Sequence, residues 1–407
     1  MPRRLRPPVI AARDIAGERC VALYLAGGIV RDLLLGQTVR DLDLVVEGDG
    51  IDFARRLTAR LGGSIREHQR FGTAALELPS GETVDVASTR RETYSHPGAL
   101  PGIVAGVSIE EDLARRDFTV NAMALELAPG RRLVDPFGAA RDLARSEIRE
   151  LHPRSFFDDP TRIFRAVRYA NRLGFRIPSE TREAIAAALT GRALALVSGD
   201  RVRRETRRIL EEPDRWRAIA LMFAVGLSEA VEPALAADPL AANMVRRAEG
   251  LSRAFEGQTT WLCYLLAWMG HAGEREVERV AERLALAGAE GRIFRRWPEV
   301  AGQLSGATAT RFVPAVGRGR KDLSADEIVA AAAGVPARQR RVLLESGAAA
   351  RCLRLEIRGA DLLAGGVPAG PAVGAALAQT LAARHAGRIG AQDELAFALA
   401  AARANRE

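Results

Sequence analysis

Strand-like segments are confined to the first 150 residues of this 407-residue chain, and this asymmetry strongly constrains its fold. Short apolar runs bounded by Gly, Asp or Pro, the pattern typical of β-strands, occur at residues 21–25, 42–46, 73–78 and 83–87. Helical spacing of apolar residues appears between them at 51–61. An alternation of this kind predicts a mixed α/β domain.

Beyond about residue 156 the strand pattern nearly disappears, and amphipathic helical spacing with arginine on the polar face replaces it. Helices are predicted at 157–174, 179–190, 201–211, 214–225, 277–287, 325–333, 337–346 and 371–384. The sequence therefore predicts an α+β protein with an α/β head followed by a long all-helical body. We place the head at 1–150, a helical neck at 151–225 and the body at 226–407.

The charge balance indicates the kind of partner. Lys and Arg outnumber Asp and Glu by 59 to 51, which gives a net charge of +8 and a pI near 10.2. Such an excess favours a polyanion, most commonly nucleic acid. No uncharged apolar run reaches the length of a membrane-spanning helix, and no signal peptide is evident, so we expect a cytoplasmic protein without a membrane partner. Three widely spaced cysteines form neither a disulfide framework nor a zinc motif.

The most specific motif is GGIVRD at residues 27–32, followed eight residues later by DLD at 41–43. Paired glycines after a strand let the backbone approach a phosphate closely, although an ordinary strand-to-helix turn also uses them. Asp41 and Asp43 are two residues apart, so a strand places both carboxylates on one face. Adjacent carboxylates repel each other unless a cation lies between them, so one interpretation is a site for Mg²⁺ and a triphosphate. The alternative for DLD alone is a turn aspartate beside a solvated one, and the combination with GGIVRD at this spacing is far more specific.

A third carboxylate, Asp85, lies within the apolar strand predicted at 83–87. A charge inside such a strand is costly unless it is paired. We therefore expect Asp85 to join the same metal site.

Two further blocks place arginine beside carboxylates. Within residues 110–122, Arg116, Asp117 and Asn121 are candidates to contact phosphate and ribose hydroxyls, and the alternative is a charged helix end. Within residues 158–169, Asp159 precedes a proline, which is typical of a helix N-cap.

That capping role is one explanation of Asp159, and base recognition is the other. The Asp159 carboxylate offers acceptors and Arg162 offers donors, a combination that suits the edge of a base. Arg165 and Arg168 follow at steps of three residues along the same helix. This helix is therefore a candidate wall of a nucleotide site.

Together these blocks resemble the class II tRNA nucleotidyltransferase and poly(A) polymerase family, in the polymerase-β-type nucleotidyltransferase superfamily. GGIVRD with DLD resembles the metal-binding block of that family, and RRDFTVNAMA its ribose-selecting block. DPFGAARDL resembles the connecting block, and DDPTRIFRAVRYANRLGF the base-reading helix. The resemblance covers roughly residues 20–210. It departs from the family at Asp158, where the usual residue is glutamate, and at Asp200 in a block that we interpret as structural.

The resemblance implies a role for each candidate residue. Asp41 and Asp43 would bind two catalytic Mg²⁺ ions, with Asp85 as a third catalytic carboxylate. The implied nucleotide-binding residues are Gly27, Gly28, Arg31, Arg116, Asp117, Asn121, Asp159, Arg162, Arg165 and Arg168. Among these, Gly28 and Arg31 would hold the triphosphate, and Asp159 and Arg162 would read both cytosine and adenine.

The implied reaction is attack of an RNA 3′-hydroxyl on the α-phosphate of CTP or ATP, with release of pyrophosphate. The substrate would be the 3′ end of tRNA, whose CCA terminus is built or repaired. The head would catalyse, the neck would recognise the base and the body would bind tRNA. The arginines at 203–208 are either phosphate contacts or a solvated helix face.

Several products are compatible with the sequence. The family includes enzymes that add CCA, only CC or only A, as well as poly(A) polymerases. The segment 89–108, which we predict to be a flexible loop, has the full length associated in the family with switching from CTP to ATP and so favours A addition. A non-catalytic RNA-binding module is the alternative from another class, although the retained Asp41 and Asp43 oppose it.

Overall fold

The computed structural model describes residues 2–404, except 40, 129, 131, 237, 254–258, 271, 306–322, 353–354 and 386–387. It confirms an α+β head followed by a helical body. The chain divides into two compact units, Met1–Pro213 with Leu221–Val231, and Asp214–Ala220 with Glu232–Glu407. The head, neck and body boundaries near residues 150 and 225 stay predictions.

The first unit is built on a seven-stranded sheet of order β3-β4-β5-β2-β1-β8-β9. The strands in chain order, β1 to β9, are Leu23–Ala26, Leu42–Val46, Ser64–His68, Thr73–Glu77, Thr83–Ser88, Arg90–Thr93, Gly102–Ala105, Ala124–Glu126 and Leu133–Val134. Within the sheet β2 and β5 are parallel, and the other neighbours are antiparallel. All four predicted strands are present, and β3, β8 and β9 add to them because tertiary pairing supports short strands with a weak sequence signal.

The segment predicted as a flexible loop at 89–108 contains a β-hairpin, β6 paired with β7. The prediction of a loop throughout is therefore wrong. The backbone N–H of Arg90 donates to the buried Asp112 carboxylate, 3.1 Å away. The Arg115 guanidinium, on the same carboxylate, also donates to Glu92. These charged contacts hold in place a hairpin whose sequence is rich in glycine and polar residues.

Several helices of the first unit pack on its sheet. In chain order, α1 to α9 are Arg6–Arg19, Gly28–Leu34, Gly50–Leu61, Ile109–Ala114, Ala139–Arg145, Ser155–Asp158, Thr161–Leu173, Ser179–Thr190 and Gly199–Leu210, and α11 is Leu227–Val231. The long α3 begins where Asp49 caps the N–H groups of Ile51 and Asp52. It buries Phe53 and Leu57 and packs against β4 and β5, so one face of the sheet is covered there.

The single helix predicted at 157–174 is two helices, α6 and α7, with a break at Asp159. Asp159 is extended (φ −133°, ψ 95°) because a residue that precedes proline is disfavoured in the helical region. The N-cap of α7 is Pro160 rather than Asp159, so the predicted capping position is off by one residue. The Asp159 carboxylate nevertheless accepts the N–H of Thr161 at 3.1 Å.

The regular elements described in the second unit are all helices. The helix α10, Arg215–Ala224, crosses from this unit into the first, and α12 to α21 are Pro239–Ser252, Trp261–Met269, Glu274–Arg283, Gly288–Arg295, Trp297–Ser305, Ala325–Gly334, Ala337–Cys352, Gly359–Ala364, Pro371–His385 and Glu394–Ala404. Every residue of α13 (Trp261–Met269) is buried, as expected of a helix that is apolar on all sides. None of the described helices combines the length and the apolar character needed to cross a membrane.

Candidate active site

The predicted carboxylates meet because two distant strands pair in parallel. The register of β2 and β5 places Asp43 directly beside Asp85. Asp41 directly precedes β2 and is exposed, and its charge acts on both Asp43 and Asp85. Asp43 and Asp85 line a groove of about 350 Å³ together with Arg116.

The electrostatics of this groove show how close the carboxylates lie. Burial, followed by the charge of Asp85, raises the pKa of Asp43 to about 6. Burial and the charge of Asp41 raise the pKa of Asp85. Repulsion among three acids is relieved by a cation, and carboxylate oxygens are the ligands that Mg²⁺ prefers, so the donor set fits a divalent ion. Over the described residues, however, no group of three or more His, Cys, Asp or Glu side chains is arranged to hold a metal ion.

The glycine turn before α2 is explained by one close approach. Gly27 has φ +83° and donates its N–H to the carbonyl of Met123 at 3.0 Å. A Cβ atom at Gly27 would lie 2.3 Å from Nη1 of Arg116, far inside van der Waals contact. The turn therefore needs glycine both for its backbone conformation and to admit the Arg116 guanidinium.

A buried polar chain connects the two predicted blocks. Arg31 donates through Nη1 to Asn121 Oδ1 at 2.6 Å and through Nε to Asp32 Oδ1 at 2.8 Å. Asn121 donates to Asp117 Oδ1 at 3.0 Å, and Arg165 donates to Asp117 Oδ2 at 2.7 Å. Arg31 thus orients Asn121 through the interior, whereas the resemblance implied that it holds the triphosphate.

Charge pairing stabilises this chain. Although burial raises the pKa of Asp117, the Arg165 guanidinium and the bond from Asn121 outweigh burial and hold that pKa below its ordinary value. Tyr169 lies beneath three guanidinium groups, with the Cζ atoms of Arg31, Arg165 and Arg168 between 5.5 and 5.9 Å from its ring centre.

A second cavity, of about 310 Å³, is lined by most of the predicted nucleotide-binding residues. Those that line it are Gly28, Arg116, Asp117, Asn121, Asp159, Arg162 and Arg165. The other three, Gly27, Arg31 and Arg168, do not line it. Arg116 is shared with the carboxylate groove, so the two cavities adjoin at this side chain.

The two predicted base-reading side chains are held rigidly. Asp159 Oδ1 accepts bonds from Thr161 Oγ1 at 2.7 Å and Arg201 Nη2 at 2.9 Å, while no donor among the described residues contacts Oδ2. Arg162 is buried and donates to Ser155 Oγ at 2.6 Å and to the carbonyl of Arg115 at 2.7 Å. One Asp159 oxygen is therefore left to accept a bond within a polar, base-sized cavity.

Comparison with known proteins identifies the family. The model for the poly A polymerase head domain matches residues 23–149, and the model for the probable RNA and SrmB-binding site of polymerase A matches residues 174–238. A CC-adding tRNA nucleotidyltransferase of Deinococcus radiodurans is 32% identical over 393 residues, covering 93% of this chain and 89% of that protein. The chain belongs to the tRNA nucleotidyltransferase and poly(A) polymerase family.

Other relatives differ in product and in length. An A-adding tRNA nucleotidyltransferase of Geobacter sulfurreducens is 42% identical over 273 residues, which cover 64% of this chain and 31% of that protein. The chain matches less than half the length of this and two further A-adding relatives. Among solved structures, the Thermotoga maritima CCA-adding enzyme complexed with tRNA has a TM-score of 0.74 at 28% identity, covering 100% of this chain and 96% of that one. A CCA-adding enzyme with ATP has a TM-score of 0.76 at 27% identity, covering 97% and 93%.

In this family member the pocket also contains residues that sequence reasoning missed. Arg90, Glu92 and Tyr94 line it from the hairpin region, and Glu92 accepts bonds from both Arg90 and the Tyr94 hydroxyl. Burial, followed by the charge of Glu92, raises the pKa of Tyr94 to about 12. Their spacing of two residues is the period of a strand, and it was the signal available in the sequence.

Arg201 also lies outside the predicted site, because the sequence around Asp200 indicates only a structural role. Its guanidinium donates to Asp159 Oδ1 and, at 2.6 Å, to the carbonyl of Gly98. It therefore ties the segment between the hairpin strands to the predicted base-reading carboxylate. Nothing in the local sequence of α9 indicates this partner.

Proposed function

We propose that this chain is a template-independent tRNA nucleotidyltransferase. It transfers CMP, AMP or both from CTP and ATP to the 3′ end of tRNA, building or repairing the CCA terminus and releasing pyrophosphate. The observation that carries the proposal is the junction at Arg116 between a carboxylate groove and a polar, base-sized cavity. Phosphoryl transfer needs both compartments, one for the reacting phosphate and one for the base.

The residues divide the work between these compartments. Asp41 and Asp43 would hold Mg²⁺, which when bound would lower the pKa of the attacking hydroxyl and neutralise charge on the phosphates, with Asp85 beside them as a third carboxylate. Arg116 lines both compartments, and its Nε atom is buried without a hydrogen-bond partner among the described residues, so its guanidinium would pair with the triphosphate. Gly28, at the edge of the cavity, leaves room for that triphosphate.

The other compartment selects the base. Asp159 Oδ2 is available to accept from an exocyclic amine, which cytosine and adenine both have and which uracil lacks. Arg162 is the donor beside it, and Asp117 and Asn121, which line the same cavity, would contact the ribose hydroxyls. Positioning and charge complementarity then supply most of the rate, as in other phosphoryl transfers.

Addition of A alone is a second candidate within this activity. The 42% identity to an A-adding relative favours it, as does the full-length segment at 89–108. The CC-adding relative, in contrast, aligns along nearly the whole chain at 32% identity.

The test is an incorporation assay on three tRNA transcripts that end before CCA, after the first C and after CC. Each receives labelled CTP, ATP or both, with Mg²⁺. Ordered addition that stops after CCA supports the full activity, whereas addition of only CC or only A assigns the split function. Long A tails on any RNA would replace the proposal with a poly(A) polymerase.

Replacement of a predicted metal ligand separates catalysis from binding. We expect Asp41→Ala to abolish incorporation while tRNA binding persists, and Asp14→Ala, an exposed change on α1, to leave both unchanged. Unchanged incorporation by Asp41→Ala would refute the catalytic assignment. Tight tRNA binding without any incorporation by the wild-type protein would instead indicate an RNA-binding module.

A further inference from the structure

One face of the sheet beyond the carboxylates is open. The helix α3 packs against the face of β4 and β5 that carries the buried residues Ala74 and Leu76. The opposite face of β3 presents Arg66 and His68, and both side chains are exposed. This open face therefore remains available to a partner.

The register connects this face directly to the reacting centre. Arg66 lies opposite Ala75, Ala75 lies opposite Asp85, and Asp85 lies beside Asp43. Two strand spacings separate Arg66 from Asp85, or about 10 Å between their Cα atoms. The carboxylate groove extends from Asp85 across β4 to β3, because Ala75, Thr73 and His68 also line it.

The chemistry of the face suits a nucleic-acid strand. Arg66 makes no ion pair or hydrogen bond with any described residue, so its guanidinium is available to a phosphate. Ala75, which lies between Arg66 and Asp85 on this face, has a small side chain and leaves space above the sheet. Among the described residues of β3, β4 and β5, one acidic side chain other than Asp85 lies on this face, that of Glu77. It is opposite Ser64, at the end of β3 and β4 away from His68.

An exposed aromatic ring stands where β3 turns into β4. Phe71 is 41% exposed, and the Cζ atom of Arg70 lies 5.6 Å from its ring centre. The turn is anchored, since the Phe71 carbonyl accepts from Arg90 Nη1 at 3.2 Å and the Gly72 carbonyl accepts from Ser88 N–H at 2.9 Å. An aromatic ring fixed beside cationic side chains is a typical platform for stacking an unpaired base.

We propose that this surface, formed by Arg66, His68, Arg70 and Phe71 and called here the primer face, binds the 3′-terminal nucleotides of the RNA. The inference rests on the proposed function and deepens it. In-line displacement requires the attacking hydroxyl to approach opposite the departing pyrophosphate. Since the base cavity and Arg116 place the nucleotide on one side of the carboxylates, the RNA end comes from the other side, across β5, β4 and β3.

The first experiment measures Arg66→Ala in steady-state incorporation. We expect the KM for tRNA to rise about five- to tenfold and the salt dependence of log KM to fall by about one phosphate contact. The KM for the nucleotide and kcat should stay within about twofold. Arg56→Ala is the matched control, because Arg56 is exposed on α3, which covers the opposite face. A raised KM for the nucleotide alone, or an effect equal to that of the control, overturns the proposal.

The second experiment measures binding without catalysis. Fluorescently labelled tRNA ending in CC is compared with the same tRNA lacking its last three unpaired nucleotides. Phe71→Ala and Arg66→Ala should each weaken binding of the longer RNA at least threefold and leave the shorter one unchanged. Equal weakening of both RNAs, or no weakening, overturns the primer face. Absence of incorporation by the wild-type protein would refute the proposed function and leave this comparison valid.

Discussion

At the scale of single residues, the site depends on which oxygen of Asp159 is already engaged. Three donors, the N–H and hydroxyl of Thr161 and the Arg201 guanidinium, converge on Oδ1. Oδ2 keeps its orientation because Oδ1 is fixed. The proposed selection of the base by Asp159 therefore depends on a side chain, Arg201, that does not line the base cavity.

Loss of this contact should impair selection of the nucleotide. We expect Arg201→Ala to lower kcat/KM for the preferred nucleotide about tenfold, because a charge-assisted bond is lost, and to reduce discrimination against UTP. Kinetics with all four nucleotides would measure it. Arg204→Ala is the control, since Arg204 is exposed on the same helix and makes no ion pair among the described residues. Equal discrimination in both variants would contradict the prediction.

The glycine turn offers a second test at this scale. Gly27→Ala should displace Arg116 and reduce incorporation strongly, with a cost of about 1–3 kcal/mol in the free energy of unfolding from backbone strain. Gly36→Ala is matched, because Gly36 also has positive φ (+66°) but has no atom within 4 Å of an added Cβ. We expect it to cost stability while incorporation remains near that of the wild type. Similar activity of the two variants would show that contact with Arg116 is irrelevant.

At the scale of elements, one buried carboxylate connects the hairpin to α4. Asp112 is fully buried and accepts from the Arg90 N–H and from the guanidinium groups of Arg115 and Arg116. Although burial raises the pKa of Asp112, the two guanidinium groups outweigh burial and lower it below its ordinary value. Asp112 thus anchors both the hairpin and Arg116, the arginine that we propose contacts the triphosphate.

This anchor should make the head sensitive to acid. Because the pKa of Asp112 is lower in the folded state than in the unfolded state, its contribution to stability is complete above about pH 4 and is lost as the pH falls through the folded-state pKa. We expect Asp112→Asn to lower the free energy of unfolding by about 3 kcal/mol at pH 7 and by clearly less at pH 3. Urea unfolding at both pH values measures this. Asp52→Asn, at an exposed pair with Arg56, should cost less than about 1 kcal/mol.

At the scale of the whole molecule, the excess of arginine predicts how RNA binding responds to salt. A net charge of +8 implies that several phosphates are neutralised in the complex. With three or more such contacts, tRNA affinity should fall at least tenfold between 50 and 200 mM salt. Filter binding across that range checks it, and affinity that is independent of salt would contradict a phosphate-dominated interface.

The sequence by itself determined the fold class and the chemical class of the site. Strand signals restricted to the first 150 residues, followed by arginine-faced helices, were sufficient for the α+β organisation, because the periodicity of apolar residues is a local property. From residue type and spacing, GGIVRD with DLD indicated a metal ion and a triphosphate, and the resemblance of these blocks and of the block around Asp159 to a known family indicated nucleotidyl transfer.

Tertiary structure alone decided which of these residues meet. The pairing of Asp43 with Asp85 follows from a parallel register between β2 and β5, and the contact of Arg201 with Asp159 joins residues 42 positions apart. Arg31 turns inward to Asn121 rather than to the cavity. An arginine side chain is long and can reach several carboxylates, so its partner is selected by packing and desolvation across the fold, which neighbouring residues in the chain do not encode.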